Sequence, residues 1–253
     1  APEYEERSNY TVRRITIPKH ESGMKDQVFS FKAYYTQVMK FVKGKKYDLV
    51  VASSSRLFTA FLGYRIAKKN KAPLYLDIRD IFYDTLEDVL SDGLVKKLTL
   101  PVIKQVEKRT FNYATHINLI SGGFKSYFAE YDHAQYSTYP NGIDDVFIET
   151  NADEQPAEVT HQVKSIVYAG NIGEGQGLHR IVPQAANELK GRVHFIIIGD
   201  GGAKQKLVDA LEEYGADNVE LRPPVKRDEL IEEYKKADFL FAHLNDYDAF
   251  KKV

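Results

Sequence analysis

His194-Phe195-Ile196-Ile197-Ile198, running straight into Gly199-Asp200-Gly201-Gly202, is the stretch whose reading decides the fold. Its apolar residues are continuous rather than alternating. A strand with that pattern is buried on both faces and belongs in a parallel sheet packed between helices. The glycine turn behind it opens a helix-period segment at 203–214. Outward in both directions the same strand–turn–helix unit recurs. Strands are predicted at 12–17, 48–52, 74–78, 116–120, 165–169, 192–198, 218–221 and 238–242. Helices are predicted at 26–42, 56–69, 94–113, 178–189, 203–214 and 228–236. Regular alternation of this kind predicts a doubly wound α/β architecture.

The alternation breaks once. Residues 149–160, Glu-Thr-Asn-Ala-Asp-Glu-Gln-Pro-Ala-Glu-Val-Thr, are acidic and nearly devoid of large apolar groups. They read as a linker at 151–162 between a Rossmann-like domain over 1–150 and a second over 163–253. Both ends read as incomplete. Residue 1 is not Met, residues 1–7 look like the middle of a surface loop, and Phe250-Lys251-Lys252-Val253 follows a strand and a polar turn without a closing element.

Composition narrows the function. At 253 residues the chain is comfortable for two domains, and 43% hydrophobic with 28% charged residues is ordinary for a globular protein. A net charge of -1 lacks the basic excess of a nucleic-acid binder. The absence of Cys excludes a disulfide framework, a thiolate nucleophile and thiolate-bound zinc. No apolar run approaches the ~20 residues that span a bilayer, and no signal-like segment opens the chain, so a cytoplasmic protein is expected.

In open α/β sheets ligands bind beyond the carboxyl ends of the strands. Those positions here are polar or glycine-rich. The richest is Gly170-Asn171-Ile172-Gly173-Glu174-Gly175-Gln176-Gly177, between a strand and a helix. Its glycines admit close approach of a ligand to backbone, and the N–H groups at the helix start favour a diphosphate. The spacing is neither G-x-G-x-x-G nor a Walker A loop, and a long strand-to-helix turn is the other reading. Gly199, Asp200 and Gly201 form a second such turn, in which Asp200 would serve either a ligand or the turn itself. Arg222-Pro223-Pro224-Val225-Lys226-Arg227 brings three cations to the same sheet edge, to meet phosphates or to be solvated. In the first half, Asp77-Ile78-Arg79-Asp80 ends a buried strand. The Arg79 fork could grip a carboxylate or phosphate, or pair with Asp80 or Asp84. Asp77, on the same face as Arg79, reads as a pairing partner.

Taken in order, Asn141-Gly142-Ile143-Asp144, Tyr168-Ala169-Gly170-Asn171 with Gln176-Gly177-Leu178, Ile198-Gly199-Asp200-Gly201, and Tyr234-Lys235-Lys236-Ala237-Asp238 resemble glycosyltransferase family 4 over nearly the whole chain. Leu76-Asp77-Ile78-Arg79-Asp80-Ile81-Phe82 looks like the branch that builds bacterial surface polysaccharides, lipopolysaccharide among them. The resemblance implies a GT-B fold, with two Rossmann domains across a cleft. It also implies a retaining, metal-independent transferase that moves a hexosyl or N-acetylhexosaminyl group to a glycan or lipid-linked acceptor. By the same resemblance Gly170, Asn171, Gly173, Gln176, Gly177, Gly199, Asp200, Gly201 and Arg222 would serve the donor, with backbone near Val225 at the nucleobase. Arg79 or Asp80 stands where the family often has a His contacting the donor sugar. No cofactor is implied beyond the nucleotide sugar, for which UDP is favoured.

Three departures stand out. Asn171 and Gln176 occupy the places of the family's diphosphate-binding Arg and Lys, so helix amides or Arg222 and Arg227 would have to compensate the charge. The N-terminal Gly-Gly loop and the later two-glutamate motif are absent from these residues, so the chain alone is expected to be inactive. A GT-B nucleotide-sugar 2-epimerase is the alternative on the same fold. A dinucleotide-dependent dehydrogenase would need different glycine spacing, and a two-lobed binding protein would usually be exported. Residues 29–46 and 94–109 combine apolar groups with several Lys. Each predicts either a core-packed helix with a solvated face or a peripheral contact with the inner face of the cell membrane. His179, in a helix's first turn, is the histidine nearest the donor loop.

Overall fold

The structure, a computed structural model, describes residues 3–17, 24–54, 57–83, 93–149, 163–247 and 250, with backbone alone at 24–27, 95 and 149. The chain forms two compact units, one over Ala1–Asn141 and the other over Gly142–Phe250. The acidic stretch expected to link them at 151–162 lies outside the described residues.

The first unit opens with a two-stranded antiparallel ribbon, β1 (Tyr4–Glu6) and β2 (Thr11–Arg13). Three-residue strands leave no periodic signal, so residues 1–7 read as loop, and the strand expected at 12–17 ends after Arg13. Then follow α1 (Met24–Phe41), β3 (Val50–Ser54), α2 (Leu57–Asn70), β4 (Leu74–Ile78), α3 (Leu94–Phe111), β5 (His116–Leu119), a 3-10 turn (Gly122–Phe124) with α4 (Lys125–Phe128), and β6 (Gln135–Thr138). Strands β3, β4, β5 and β6 lie side by side in that order, all parallel. Sequence reasoning missed β6: Gln135-Tyr136-Ser137-Thr138 is a polar edge strand paired on one side only, where hydrophobicity is not required.

The two faces of this sheet differ. Val50, Ala52, Leu74, Leu76, Ile78, Ile117 and Leu119 point into a core with α2 and α3 residues such as Ala60, Ala67, Ile103 and Phe111. On the opposite face, Ser53, Asp77, Asn118 and Ser137 stand in register across all four strands.

The second unit comprises α5 (Asp145–Glu149), β7 (Lys164–Asn171), α6 (Leu178–Glu188), β8 (Val193–Asp200), α7 (Lys204–Tyr214), β9 (Val219–Arg222), α8 (Arg227–Lys236) and β10 (Phe239–Leu240). Its parallel sheet has the order β10-β7-β8-β9. Phe195 and Ile197 are buried against Leu178, Val182, Leu207 and Leu211, and Ile198, on the other face of the strand, is buried too, as a two-sided sheet requires. The chain therefore steps outward from β7 to β9 and returns past β7 to place β10 on its other side. That reversal is a topological switch point, with its crevice beyond the carboxyl ends of β7 and β10.

Candidate functional site

Two segments meet at the switch point: residues 170–177, at the end of β7 and beyond it, and residues 241–247 after β10. Asn245, 6% exposed, binds them together. Its backbone N–H donates to the Gly175 carbonyl at 2.8 Å and its Nδ2 donates to the Glu174 carbonyl. The His243 Nδ1–H donates to the Gln176 carbonyl at 2.7 Å, and the ring stacks on Phe241. Gly177 sits in the left-handed region at φ 59, and a Cβ there would fall 2.0 Å from Asn245 Oδ1. Only glycine fits both the angle and the contact.

On the other side of β7, Gly170 pairs with Gly199 and Asn171 with Asp200. The strands approach so closely that a Cβ on Gly199 would lie 1.9 Å from the Gly170 carbonyl oxygen. One on Gly201 would lie 2.5 Å from the Ile172 carbonyl oxygen. The Ile172 N–H donates to the Asp200 carbonyl at 2.8 Å, and the Ile172 carbonyl accepts from the Ala203 N–H at 2.9 Å. Both glycine turns are thereby locked into one backbone surface. Asn171 Nδ2 donates to Gln176 Oε1 at 2.9 Å over Gly173, so the neutral side chains pair with each other. Behind them α6 begins; its Arg180 N–H turns back onto the Gly177 carbonyl at 2.9 Å, and the helix start carries the positive end of the helix dipole.

Eight of the sequence-predicted donor residues thus come together: Gly170, Asn171, Gly173, Gln176, Gly177, Gly199, Asp200 and Gly201. Arg222 is spent elsewhere. It makes a two-pronged contact with Glu220 at 2.8 Å for each oxygen and donates to Glu233 at 2.6 Å. Those carboxylates raise the Arg222 pKa and hold its fork, so it is not an uncommitted cation. Val225 follows it, half-buried, in the loop between β9 and α8, and Arg227 pairs with Asp144. Within the glycine loop itself, Lys206 binds Glu174 and lowers its pKa, with help from His179. The His179 Nε2 lies 3.9 Å from Glu174, while its buried Nδ1 has no hydrogen-bond partner among the described residues.

In the first unit the corresponding strand ends carry a hydrogen-bonded ladder. Asp77 accepts from Ser53 Oγ at 2.8 Å, from Asn118 Nδ2 at 2.8 Å and from Arg79 at 3.3 Å. Asn118 Oδ1 in turn accepts from Ser137 Oγ at 2.9 Å and the Tyr139 N–H at 3.0 Å. Arg79 therefore pairs with Asp77, as expected of that residue, rather than with Asp80. Asp84 lies outside the described residues. Asp80 is exposed on its outer side, yet enough protein surrounds its carboxyl for burial to raise its pKa, partly offset by Arg79.

Asp238, in the last quoted motif, is structural. It accepts from Lys164 Nζ at 2.9 Å and from the Ser165 N–H at 2.8 Å, pinning the start of β10 to the start of β7. Lys164 and then Ser165 hold its carboxyl at about 2, below the usual 3.8. A depressed carboxylate stabilises fully above its unfolded value and loses that contribution as pH falls through the folded one. Acid titration of unfolding should therefore show stability draining between about pH 4 and pH 2, and Asp238→Asn should flatten that limb.

Sequence reasoning missed Asn118, His243 and Asn245. The first lies inside an apolar strand and the other two in a short polar turn, and only tertiary contact reveals their partners.

Residues 150–250 match the Glycosyl transferases group 1 family. Over 76 residues the chain is 37% identical to WcaI of Escherichia coli (strain K12), described as a glycosyl transferase of colanic acid biosynthesis. That match covers 30% of this chain and 18% of WcaI. Among solved structures, sucrose-phosphate synthase from Thermosynechococcus elongatus superposes with TM-score 0.69 at 13% identity, over 95% of this chain and 61% of that one. WaaG, a glycosyltransferase involved in lipopolysaccharide biosynthesis, gives 0.59 at 16%, over 91% and 62%. Anabaena Alr3699/HepE in complex with UDP gives 0.58 at 14%, over 81% and 55%. The chain spans less than two thirds of each of these proteins. At such identities the structures show the shared α/β fold, and the family match falls on the glycine-lined unit.

Proposed function

We propose that this chain, which carries a group 1 glycosyltransferase domain over residues 150–250, is the body of a retaining glycosyltransferase of bacterial surface-glycan synthesis. The observation that carries the reading is the convergence of Gly170, Gly199 and Gly201 with the 173–177 loop at a switch point beside the start of α6. Side chains are excluded there by contact distance, leaving main-chain amides as the surface on which a diphosphate would rest. Similarity to UDP-bound Alr3699/HepE favours a UDP-sugar donor. A glycan or lipid-linked hydroxyl is the acceptor, and a peripheral contact with the inner face of the cell membrane belongs to the same reading.

Breaking the anomeric C–O bond leaves positive charge on the sugar and negative charge on the departing diphosphate. Preorganised amides and the α6 dipole stabilise the second of these without reorganisation. Asn171 and Gln176, already paired, add neutral donors. Arg79 and Asp80 serve the sugar and acceptor, with Asp77 and Asn118 orienting the Arg79 fork.

Calorimetric titration of the chain with UDP, GDP, ADP and UDP-sugars tests the donor assignment. UDP is expected to bind and, at about a hundredfold excess over Kd, to stabilise the protein by about 2.7 kcal/mol. Failure of every nucleotide to bind would refute the reading. Turnover is measured on a form of the protein that also carries the Gly-Gly loop and the two-glutamate motif, and in it Arg79→Ala should lower kcat by about 100-fold or more with UDP affinity unchanged, the loss typical of one preorganised charge donor. Arg79→Lys should recover only part, because an ammonium cannot reproduce the planar fork. Sugar-product analysis with and without acceptor separates transfer from epimerisation.

A further inference from the structure

We propose that the outward face of α3 is a docking surface for an anionic lipid bilayer. Helix α3 has two apolar faces. Leu100, Ile103, Thr110 and Phe111 are buried, together with Glu107, the only acidic residue of the helix. Half a turn away, Leu94, Leu98 and Val102 stand 75%, 66% and 61% exposed with Pro101 between them. Further along the same face come the exposed cations Lys108 and Arg109, with Lys97 at its border. Among the described residues none of these three cations has a salt bridge. A strip of large apolar groups followed by cations, with no carboxylate, is the pattern of a helix lying at a headgroup boundary.

A second feature stands at the basic end. Lys108 and Arg109 share an open recess of about 500 Å³ with Lys68, Tyr64 and Tyr113. Among the described residues no acidic side chain lines it. The Tyr113 hydroxyl donates to the Ala72 carbonyl at 3.2 Å, which places the recess where β4 begins. Arg79 and Asp80 follow the opposite end of that strand, so the recess is not part of the candidate chemical site. Eleven residues of helix, about 16 Å, separate Leu98 from Arg109. The surface is long enough for apolar side chains to enter the bilayer while the cations and the recess meet phosphate headgroups. A second copy of this face would bring no carboxylate to the cations, and burying them unpaired is costly. In α1, the other Lys-rich helix, Lys45 instead lies 3.4 Å over the Phe41 ring just beyond the helix end.

The inference deepens the membrane contact proposed above, and its test uses neither donor nor acceptor, so it fails independently of sugar transfer. The 253-residue chain is sedimented with vesicles of phosphatidylcholine alone or mixed with phosphatidylglycerol. Binding is expected only to the mixed vesicles and should weaken with salt. K108E/R109E should lower vesicle affinity by about 25-fold or more, since each cation near an anionic surface contributes roughly fivefold. K97E should lower it in the same direction. L98S/V102S should weaken binding while leaving its salt dependence intact, and K43E/K46E should change nothing. Thermal melts verify that each variant is folded. Equal binding to both vesicle types would overturn the proposal, as would loss through K43E/K46E instead. So would displacement by free inorganic phosphate, which would make the recess a soluble-anion site. A change of mass with L98S/V102S would assign the face to a second copy.

Discussion

Gly199→Ala is expected to unfold the second unit at a temperature lower by about 10 °C or more and to abolish nucleotide binding. The added Cβ would sit 1.9 Å from the Gly170 carbonyl oxygen and 3.1 Å from its carbon. A crowded side chain can change rotamer, but these are backbone atoms of the neighbouring strand, paired in register with Gly199 itself. The strain can be relieved only by separating β7 from β8 where the two glycine turns join. Overpacking of this kind costs about 3 kcal/mol or more at the upper end of its range. For a domain of about 100 residues each kcal/mol lowers Tm by about 4–8 °C. Gly142→Ala, with nothing within 4 Å of its added Cβ, is the control and should leave both melting and UDP binding unchanged. Calorimetric scans with and without UDP make the measurement, and an unshifted Gly199→Ala melt would contradict this geometry.

Lys104→Met should destabilise the first unit by about 2–3 kcal/mol. Glu107 is buried in α3 with its side chain 2% exposed, and Lys104 Nζ donates to it at 2.8 Å. Tyr127 donates to the same carboxylate at 2.7 Å. Burial pulls the Lys104 pKa down, and Glu107 with Glu130 more than reverses this, leaving it raised. Removing the cation leaves a carboxylate in the core with one neutral donor. Breaking a buried pair in this way typically costs about 3–5 kcal/mol, and the partial exposure of Lys104 moves the expectation below that range. The double variant K104M/E107Q should recover most of the loss, because it removes the uncompensated charge and keeps an acceptor for Tyr127. Urea unfolding of the three proteins settles it: no recovery in the double variant would mean that packing, not charge, sets the cost.

Much of the architecture was legible because continuous apolar runs such as Phe195 to Ile198 can be buried only in a two-sided sheet. Residues 74–78 were placed to the residue and the six expected helices to within two, while the short α4 and α5, of four and five residues, were not read. The elements that escaped were those whose stability is not local. The strand β6 is polar and held by pairing with β5, and β1 and β2 are too short to show a period. The glycine turns were legible as glycine turns. That Gly199 needs to be glycine because Gly170 lies opposite was not, since nothing in the order of residues states the strand register.

The amino-acid sequence by itself determined the alternation of strands and helices, the parallel character of the sheets and the clustering of glycines at strand ends, since these follow from side-chain size and backbone freedom along the chain. Only the tertiary structure decided which charges are free. Arg222 and Arg227 read as cations either for phosphates or for solvent, yet their forks go to Glu220, Glu233 and Asp144. It also decided that Leu94, Leu98 and Val102 face outward while Glu107 is buried. Partner choice among charges depends on distances between residues remote in the chain, and one helical period is compatible with either face turned inward until the sheet it packs on is in place.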